Sequence, residues 1–342
     1  MKYLRFMKKS SPRLLVIAKD NDGSSTRYRA GQFVSGLQAA GWYVEIMAVG
    51  SDAAGRGQMI GAARQADVVW VLRKTFGPVT TKLLRLAAKR LIFDLDDAIF
   101  LASSGKPSKT RYRRFTRMVR AADRVWAGND FLADESRRWN KQTEIMPTVV
   151  DEANYPLADP GAVDDDVIDL VWIGSSSTRK YLERLIPVFD RLTELCPVLR
   201  LKIVADFDLP DLKMPQLRIN WSEQVESEAL ATAHIGIAPM IDNPWTRGKC
   251  GLKVLQYMAA GLPVVSDAVG VNQQMILHNE TGVLVSNDEQ WSAAILGLAN
   301  DTERRRQMGG AGRARLIYQD YTRSANLLRI EKYLLCDDYR GN

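Results

Sequence analysis

The stretch RGKCGLKVLQYMAAGLPVV, Arg247 to Val265, decides how the rest of this sequence is read. Gly248 and Gly251 permit close backbone approach, and the residues after them predict a helix from about Leu252 to Ala260. A helix that starts after glycine presents unpaired N–H groups and the positive end of its dipole, which together form an anion site. Arg247, Lys249 and Lys253 place three cations around that end, a setting that suits a diphosphate. Gln256 lies three residues beyond Lys253 and four before Ala260, so the three share a face, and its amide suits a ribose hydroxyl. Gly261-Leu-Pro263 then ends the helix and launches a strand over Pro263 to Ser266. An ordinary helix with a glycine start and solvated lysines is the plainer reading of the same residues.

Outward from this stretch, short apolar runs alternate with helix-period segments, the pattern of parallel sheets covered by helices on both faces. In the first half the runs are Leu14 to Ala18, Tyr43 to Ala48, Val68 to Leu72, Leu91 to Asp94, Val125 to Gly128 and Glu144 to Pro147. Amphipathic stretches around 28–40, 79–90, 110–122 and 130–139 fall between them. Asp151 to Asp166 holds two prolines, a glycine and several acids without periodicity. A second alternation follows in Ile168 to Ile173, Leu201 to Val204, Ile235 to Pro239, Pro263 to Ser266 and Gly282 to Val285. The expectation is α/β: two tandem Rossmann-like, doubly wound domains over 1–155 and 167–320, joined by a linker at 156–166 and facing a central cleft. Residues 321–342 form a terminal helix expected to pack back toward the first domain. Ligands of such sheets bind beyond the carboxyl ends of the strands.

At 342 residues, the chain has the length of two domains of ~150 residues. No apolar run reaches the ~18 residues of a membrane-spanning helix. The opening MKYLRFMKKSSPRLLVIAK lacks a cleavage pattern, so LLVIA reads as a first strand. Cys196, Cys250 and Cys336 stand far apart, and the only histidines are His234 and His278. Neither a disulfide framework nor a zinc site follows, and a reducing cytoplasm fits. The net charge of +7 is concentrated: between Asp97 and Asp123 there is no acid, while Lys106, Lys109, Arg111, Arg113, Arg114, Arg117 and Arg120 supply seven cations. This is either a solvated helix face or a surface for anionic lipid headgroups or a phosphorylated acceptor. Nucleic acid is disfavoured, because no recognition motif or aromatic platform accompanies the charge.

The stretch from Arg247 resembles the donor-binding motif of the retaining GT-B glycosyltransferases of family 4, the glycosyl transferases group 1. Its neighbours fall in that family's order: Val171-Trp-Ile-Gly174, Ala233-His-Ile-Gly-Ile-Ala-Pro239, Ser266-Asp-Ala-Val-Gly270 and His278-Asn-Glu-Thr-Gly282-Val-Leu-Val285. The likeness runs from about Asp169 to Tyr321; in the first half it rests on Leu14 to Ala18, Gly23 to Arg29 and Met146 to Asp151. It implies a GT-B fold and transfer, with retention, of a hexose-type sugar from a nucleoside diphosphate donor, which is a substrate rather than a cofactor. It also implies donor contacts from Gly23, Ser175, Thr178, Lys180, Arg247, Lys249, Gly251, Lys253 and Gln256. Two departures stand out: family members usually carry glutamates where this chain has Gly248 and Gln256. The expected arginine and lysine after the Gly174 turn are replaced by Ser175-Ser-Ser-Thr-Arg-Lys180, where Ser177 and Thr178 equally suit a plain helix cap.

In the first half, Gly23 to Arg27 lies between a strand and a helix, and Phe93-Asp94-Leu-Asp96-Asp97 ends a strand with three carboxylates. Carboxylates so close need a cation or a function. On the acceptor side the residues singled out are Arg27, Asp94 and Asp97, with Asp97 and Lys253 as the catalytic pair and Asp97 or Asp94 orienting the acceptor hydroxyl. No metal is required for a leaving diphosphate already met by cations. The acceptor expected from the basic segment is lipid-linked or a cell-surface polysaccharide, with peripheral contact to an anionic membrane through Lys106, Arg111, Arg113, Arg114 and Arg117. Two alternatives remain: a haloacid-dehalogenase-like phosphatase using Asp94 and Asp96, and a GT-B subunit that binds without turnover.

Overall fold

The computed structural model describes residues 11–21, 23–50, 52–158 and 166–335. The chain divides into two compact units, residues 1–146 with 327–342, and residues 147–326. The passage to the second unit thus comes at Pro147, ahead of the expected boundary at 155, because Val150 bridges Thr322 and the Ala158 N–H donates to Ala260 O at 2.8 Å. Most of the expected linker, residues 159–165, lies outside the described residues, as does Cys336.

The first unit carries strands β1 (Arg13–Ala18), β2 (Tyr43–Ala48), β3 (Val68–Leu72), β4 (Leu91–Leu95), β5 (Arg124–Ala127) and β6 (Thr143–Ile145). Its helices are α1 (Ser24–Arg29), α2 (Val34–Ala39), α3 (Ala53–Gln65), α4 (Pro78–Ala87), α5 (Lys109–Ala121) and α6 (Asp130–Arg137). The six strands are parallel in the order β2-β1-β3-β4-β5-β6. Central strands such as β3 and β4 are buried on both faces, which is why β3 reads as an unbroken apolar run and β4 as one interrupted only by Asp94.

The second unit holds β7 (Ile168–Ile173), β8 (Leu199–Val204), β9 (Gln216–Ile219), β10 (Ile235–Ala238), β11 (Val264–Asp267) and β12 (Gly282–Val285). Its helices are α7 (Arg179–Glu183), α8 (Ile186–Leu195), α9 (Glu223–Ala231), α10 (Pro244–Arg247), α11 (Leu252–Ala259), α12 (Asn272–Met275), α13 (Asp288–Ala299) and α14 (Thr302–Tyr318). All strands are parallel, in the order β12-β11-β10-β7-β8-β9. Its core joins Trp172, Phe189, Leu201, Ile237, Val265 and Trp291. The last helix, α15 (Arg323–Leu335), crosses from the second unit to the first at Leu327, and Arg90 donates to Leu334 O at 2.8 Å within the first unit.

Both units are thus doubly wound. The strand β9 was absent from the sequence expectation because it is an exposed edge of only four residues. Helix α3 was absent too, since Ala53-Ala-Gly-Arg-Gly-Gln-Met-Ile-Gly carries three glycines and little apolar segregation.

Candidate donor and acceptor sites

In the second unit the connections leave β7 and β10 in opposite directions, so a crevice opens beyond their carboxyl ends. Helix α11 is fastened across both strands by Tyr257, whose hydroxyl accepts from Ile173 N at 3.1 Å and donates to Ile237 O at 3.2 Å. Burial pushes the Tyr257 phenol up, so it stays a neutral link. Gly174, at the end of β7, has no room for a side chain: a Cβ would come within 2.2 Å of the Trp172 indole. Gly251 precedes α11 in the left-handed region at φ 68°, and a Cβ there would lie 2.5 Å from Met275 Sδ. No side chain caps the start of α11, which leaves its first N–H groups to the crevice.

Lys253, in the first turn, lies over the Trp172 ring with Nζ 5.0 Å from its centroid. Among the described residues it has no hydrogen-bond acceptor and no carboxylate partner. Burial pushes its ammonium from 10.5 down to about 8, Lys249 pushes the same way, and Glu226 opposes them. Lys249 lies 5.4 Å over the Trp245 ring. Two of the three expected cations therefore crowd one helix start. Arg247 departs from that expectation: it is exposed and forms a bidentate pair with Asp242 at 2.7 and 2.9 Å, which holds its pKa up.

Gln256 is buried, but its amide turns to protein rather than outward, donating to Glu226 at 2.5 Å and to Tyr155 Oη at 3.4 Å. Glu226, on α9, also accepts from Tyr155 Oη at 3.1 Å and from Trp221 Nε1 at 2.6 Å. Sequence reading missed Glu226 and Tyr155, since nothing in a helix of mixed polarity marks one glutamate as buried. A carboxylate thus stands against residue 256 although the motif helix lacks one. Gly248 closes α10 as a buried backbone position.

The Ser175 to Lys180 loop forms a capping box in which Ser175 N donates to Thr178 Oγ1 at 3.4 Å. Ser175, Ser177 and Lys180 are exposed, with Lys180 5.1 Å over the Tyr181 ring. His234 Nδ1 accepts from Asp169 N at 3.0 Å inside the sheet, and His278 Nδ1 accepts from Leu284 N at 3.1 Å. Both histidines hold backbone.

In the first unit, the three carboxylates after β4 separate. Asp94 is fully buried, paired bidentately with Arg29 at 2.6 and 3.3 Å and bonded to Trp70 Nε1 at 3.0 Å. Burial outweighs Arg29 and pushes the Asp94 carboxyl up to about 6. This corrects the acceptor-side reading of Asp94 and removes the nucleophile that a phosphatase would need, because the side chain is closed to any substrate. Asp96 and Asp97 instead share Arg73, at 3.1 and 2.5 Å, and Asp96 accepts from Ser25 Oγ at 2.8 Å. Arg73, also missed from the sequence, sits in the left-handed region at φ 56°, where its N–H donates to Asp94 O at 2.8 Å. Gly23 caps α1, its N–H taken by Asp20 at 2.7 Å, and Arg27 lies 4.6 Å over the Tyr28 ring.

Residues 168–301 match the family model described as glycosyl transferases group 1. Among solved structures, the sucrose-phosphate synthase of Thermosynechococcus elongatus is similar with a TM-score of 0.75 at 18% identity, over 94% of this chain and 98% of that one. HepE of Anabaena in complex with UDP and glucose gives 0.73 at 14% identity, over 94% and 99%. WaaG, a glycosyltransferase involved in lipopolysaccharide biosynthesis, gives 0.69 at 16% identity, over 94% and 99%. At these identities the likeness is one of fold. No curated protein matches the chain.

Proposed function

Because residues 168–301 form a glycosyl transferases group 1 domain within a GT-B fold, we propose that this chain transfers a hexose-type sugar, with retention, from a nucleoside diphosphate donor to a lipid-linked or cell-surface saccharide. The observation that carries this reading is the start of α11: uncapped N–H groups beside Gly251, with Lys249 and Lys253 crowded together and Lys253 depressed to about 8. Two ammoniums that repel one another over a helix N-terminus are relieved by a diphosphate, and more so as charge builds on the leaving group. That HepE was solved with UDP-glucose supports a donor of this class.

In this reading Lys253 and Lys249 hold the diphosphate, and Ser175 and Lys180 border it. The Glu226–Gln256–Tyr155 cluster limits the ribose side. Asp97, oriented by Arg73, receives or orients the acceptor hydroxyl on the first unit, with Arg27 nearby in sequence to Ser25. The donor is a substrate, and the positive groups meet its leaving charge without a metal. The basic segment from Lys106 to Arg120 supports peripheral contact with an anionic membrane, on the cytoplasmic side where activated donors are made. No described helix is long and apolar enough to cross a membrane.

A thermal-shift panel of UDP, GDP, ADP, CMP and their sugars tests this directly. Stabilisation by one nucleoside diphosphate family, followed by release of that diphosphate on adding saccharide acceptors, is the expected result. Stabilisation with no turnover on any acceptor would leave a binding subunit, and no stabilisation by any donor overturns the assignment.

A further inference from the structure

Helices α3, α4 and α5 lie side by side on one face of the first sheet, as successive right-handed crossovers require, with α4 in contact with both neighbours. None of the three contains a carboxylate. Their outward cations include Arg64, Lys82, Lys109, Arg113, Arg114 and Arg120. The nearest acids stand at element ends and are engaged: Asp52 caps α3, Lys89 pairs with Asp67 at 2.8 Å, and Arg85 pairs with Asp123 at 2.6 Å. The middle helix does something a merely solvated face would not. It buries Thr81 and Leu84 inward, yet leaves Val79, Leu83 and Leu86 outward at 69%, 45% and 74% exposure. Positions 79, 83 and 86 follow helical spacing, so they form one apolar ridge flanked by cations on both sides.

We propose that this face seats on an anionic lipid bilayer, with Val79, Leu83 and Leu86 inserted below the headgroups while the α5 arginines meet the lipid phosphates. The inference rests on the membrane contact proposed above and deepens it, from attraction to insertion. Charge complementarity selects the occupant: an acid-free ring of cations repels a second copy of itself, whereas it draws an anionic surface in which the apolar ridge then finds hydrocarbon. A soluble polyanion would satisfy the arginines and leave the ridge in water.

The test is flotation of the full chain with phosphatidylglycerol-rich and with pure phosphatidylcholine vesicles, at low salt and at ~0.5 M salt, where surface charges are screened beyond a few Å. Two variants are compared with the wild type, Val79→Ser/Leu83→Ser/Leu86→Ser and Arg113→Glu/Arg114→Glu. All five positions are exposed, and thermal unfolding confirms that both variants fold. The serine variant is expected to lose about 100-fold in vesicle partitioning, with the residual high-salt binding abolished. The glutamate variant is expected to fail on phosphatidylglycerol at low salt. Wild type that floats with neither vesicle overturns the membrane contact itself. Wild type that floats and responds to charge, but is indifferent to the serines, overturns insertion alone. A self-associating wild type that the serines render monomeric assigns the ridge to a second copy and likewise overturns it.

Discussion

Lys253 offers the sharpest test of the diphosphate site, because its perturbation has a size. Its ammonium falls from 10.5 to about 8 in the unliganded protein. At ~1.4 kcal/mol per pH unit that difference amounts to about 3 kcal/mol, the cost of keeping the charge where it stands. A bound diphosphate removes that cost by supplying the missing counter-charge. Since part of Lys253 still touches solvent, screening lowers the recoverable share, and Lys253→Ala is expected to weaken nucleoside diphosphate binding on the order of 10- to 100-fold. The sign of the pH dependence follows. The lysine's pKa is about 8 when free and higher when an anion is bound, so binding takes up a proton above pH 8. Affinity is therefore flat from pH 7 to about 8 and then falls, by up to ~10-fold per pH unit. Titration calorimetry from pH 7 to 9.5, with the nucleotide that stabilises the protein most, measures both effects. Lys253→Arg, whose guanidinium stays charged throughout, retains much of the affinity and loses the slope. An alanine variant within twofold of wild type, or one that keeps the alkaline fall, would refute the reasoning.

Three further outcomes are expected. Gln256→Glu sets a second carboxylate where the amide now lies 2.5 Å from Glu226, and should lower the unfolding free energy by about 3 kcal/mol; exchanging the two, Glu226→Gln with Gln256→Glu, should restore most of it in denaturant titrations. If the exchange is as unstable as the single change, the shared carboxylate is not what holds the cluster. Asp94→Asn strands the buried Arg29 guanidinium and should cost roughly 3–5 kcal/mol by the same measurement, whereas an unchanged midpoint would return Asp94 to the list of reactive groups. Asp97→Asn should cut transfer by about 100-fold with donor affinity held within twofold. A matching loss in donor affinity would move Asp97 out of its acceptor role.

Both sheets were legible in the sequence because their strands are buried on two faces: Val68 to Leu72 is apolar throughout, Ile168 to Ile173 is apolar but for Asp169, and the observed strands keep those bounds. The elements that escaped lacked that signal. β9 exposes most of its four residues, and α3 owes its place to the contacts it makes rather than to its own pattern. The helix at Leu252 was legible for a related reason, since glycine in the left-handed region and a lysine in the first turn are local features. Which cation serves that helix was not local. Asp242 draws Arg247 aside across five residues, which leaves Lys249 and Lys253 as the cations at the helix start.

The carboxylates show the same limit more strongly. Read along the chain, Asp94, Asp96 and Asp97 form one cluster that demands one cation. In space the demand is divided: Asp94 points into the sheet toward Arg29, 65 residues away, while Asp96 and Asp97 turn to Arg73. Likewise Gln256 reads as a lost glutamate until Glu226 arrives from α9, 30 residues upstream. A charge that a motif lacks at one position can be supplied by another helix packed against it. The motif's altered half is therefore better judged by what faces residue 256 than by residue 256 itself, and what faces it is a buried glutamate already held by a tyrosine and a tryptophan.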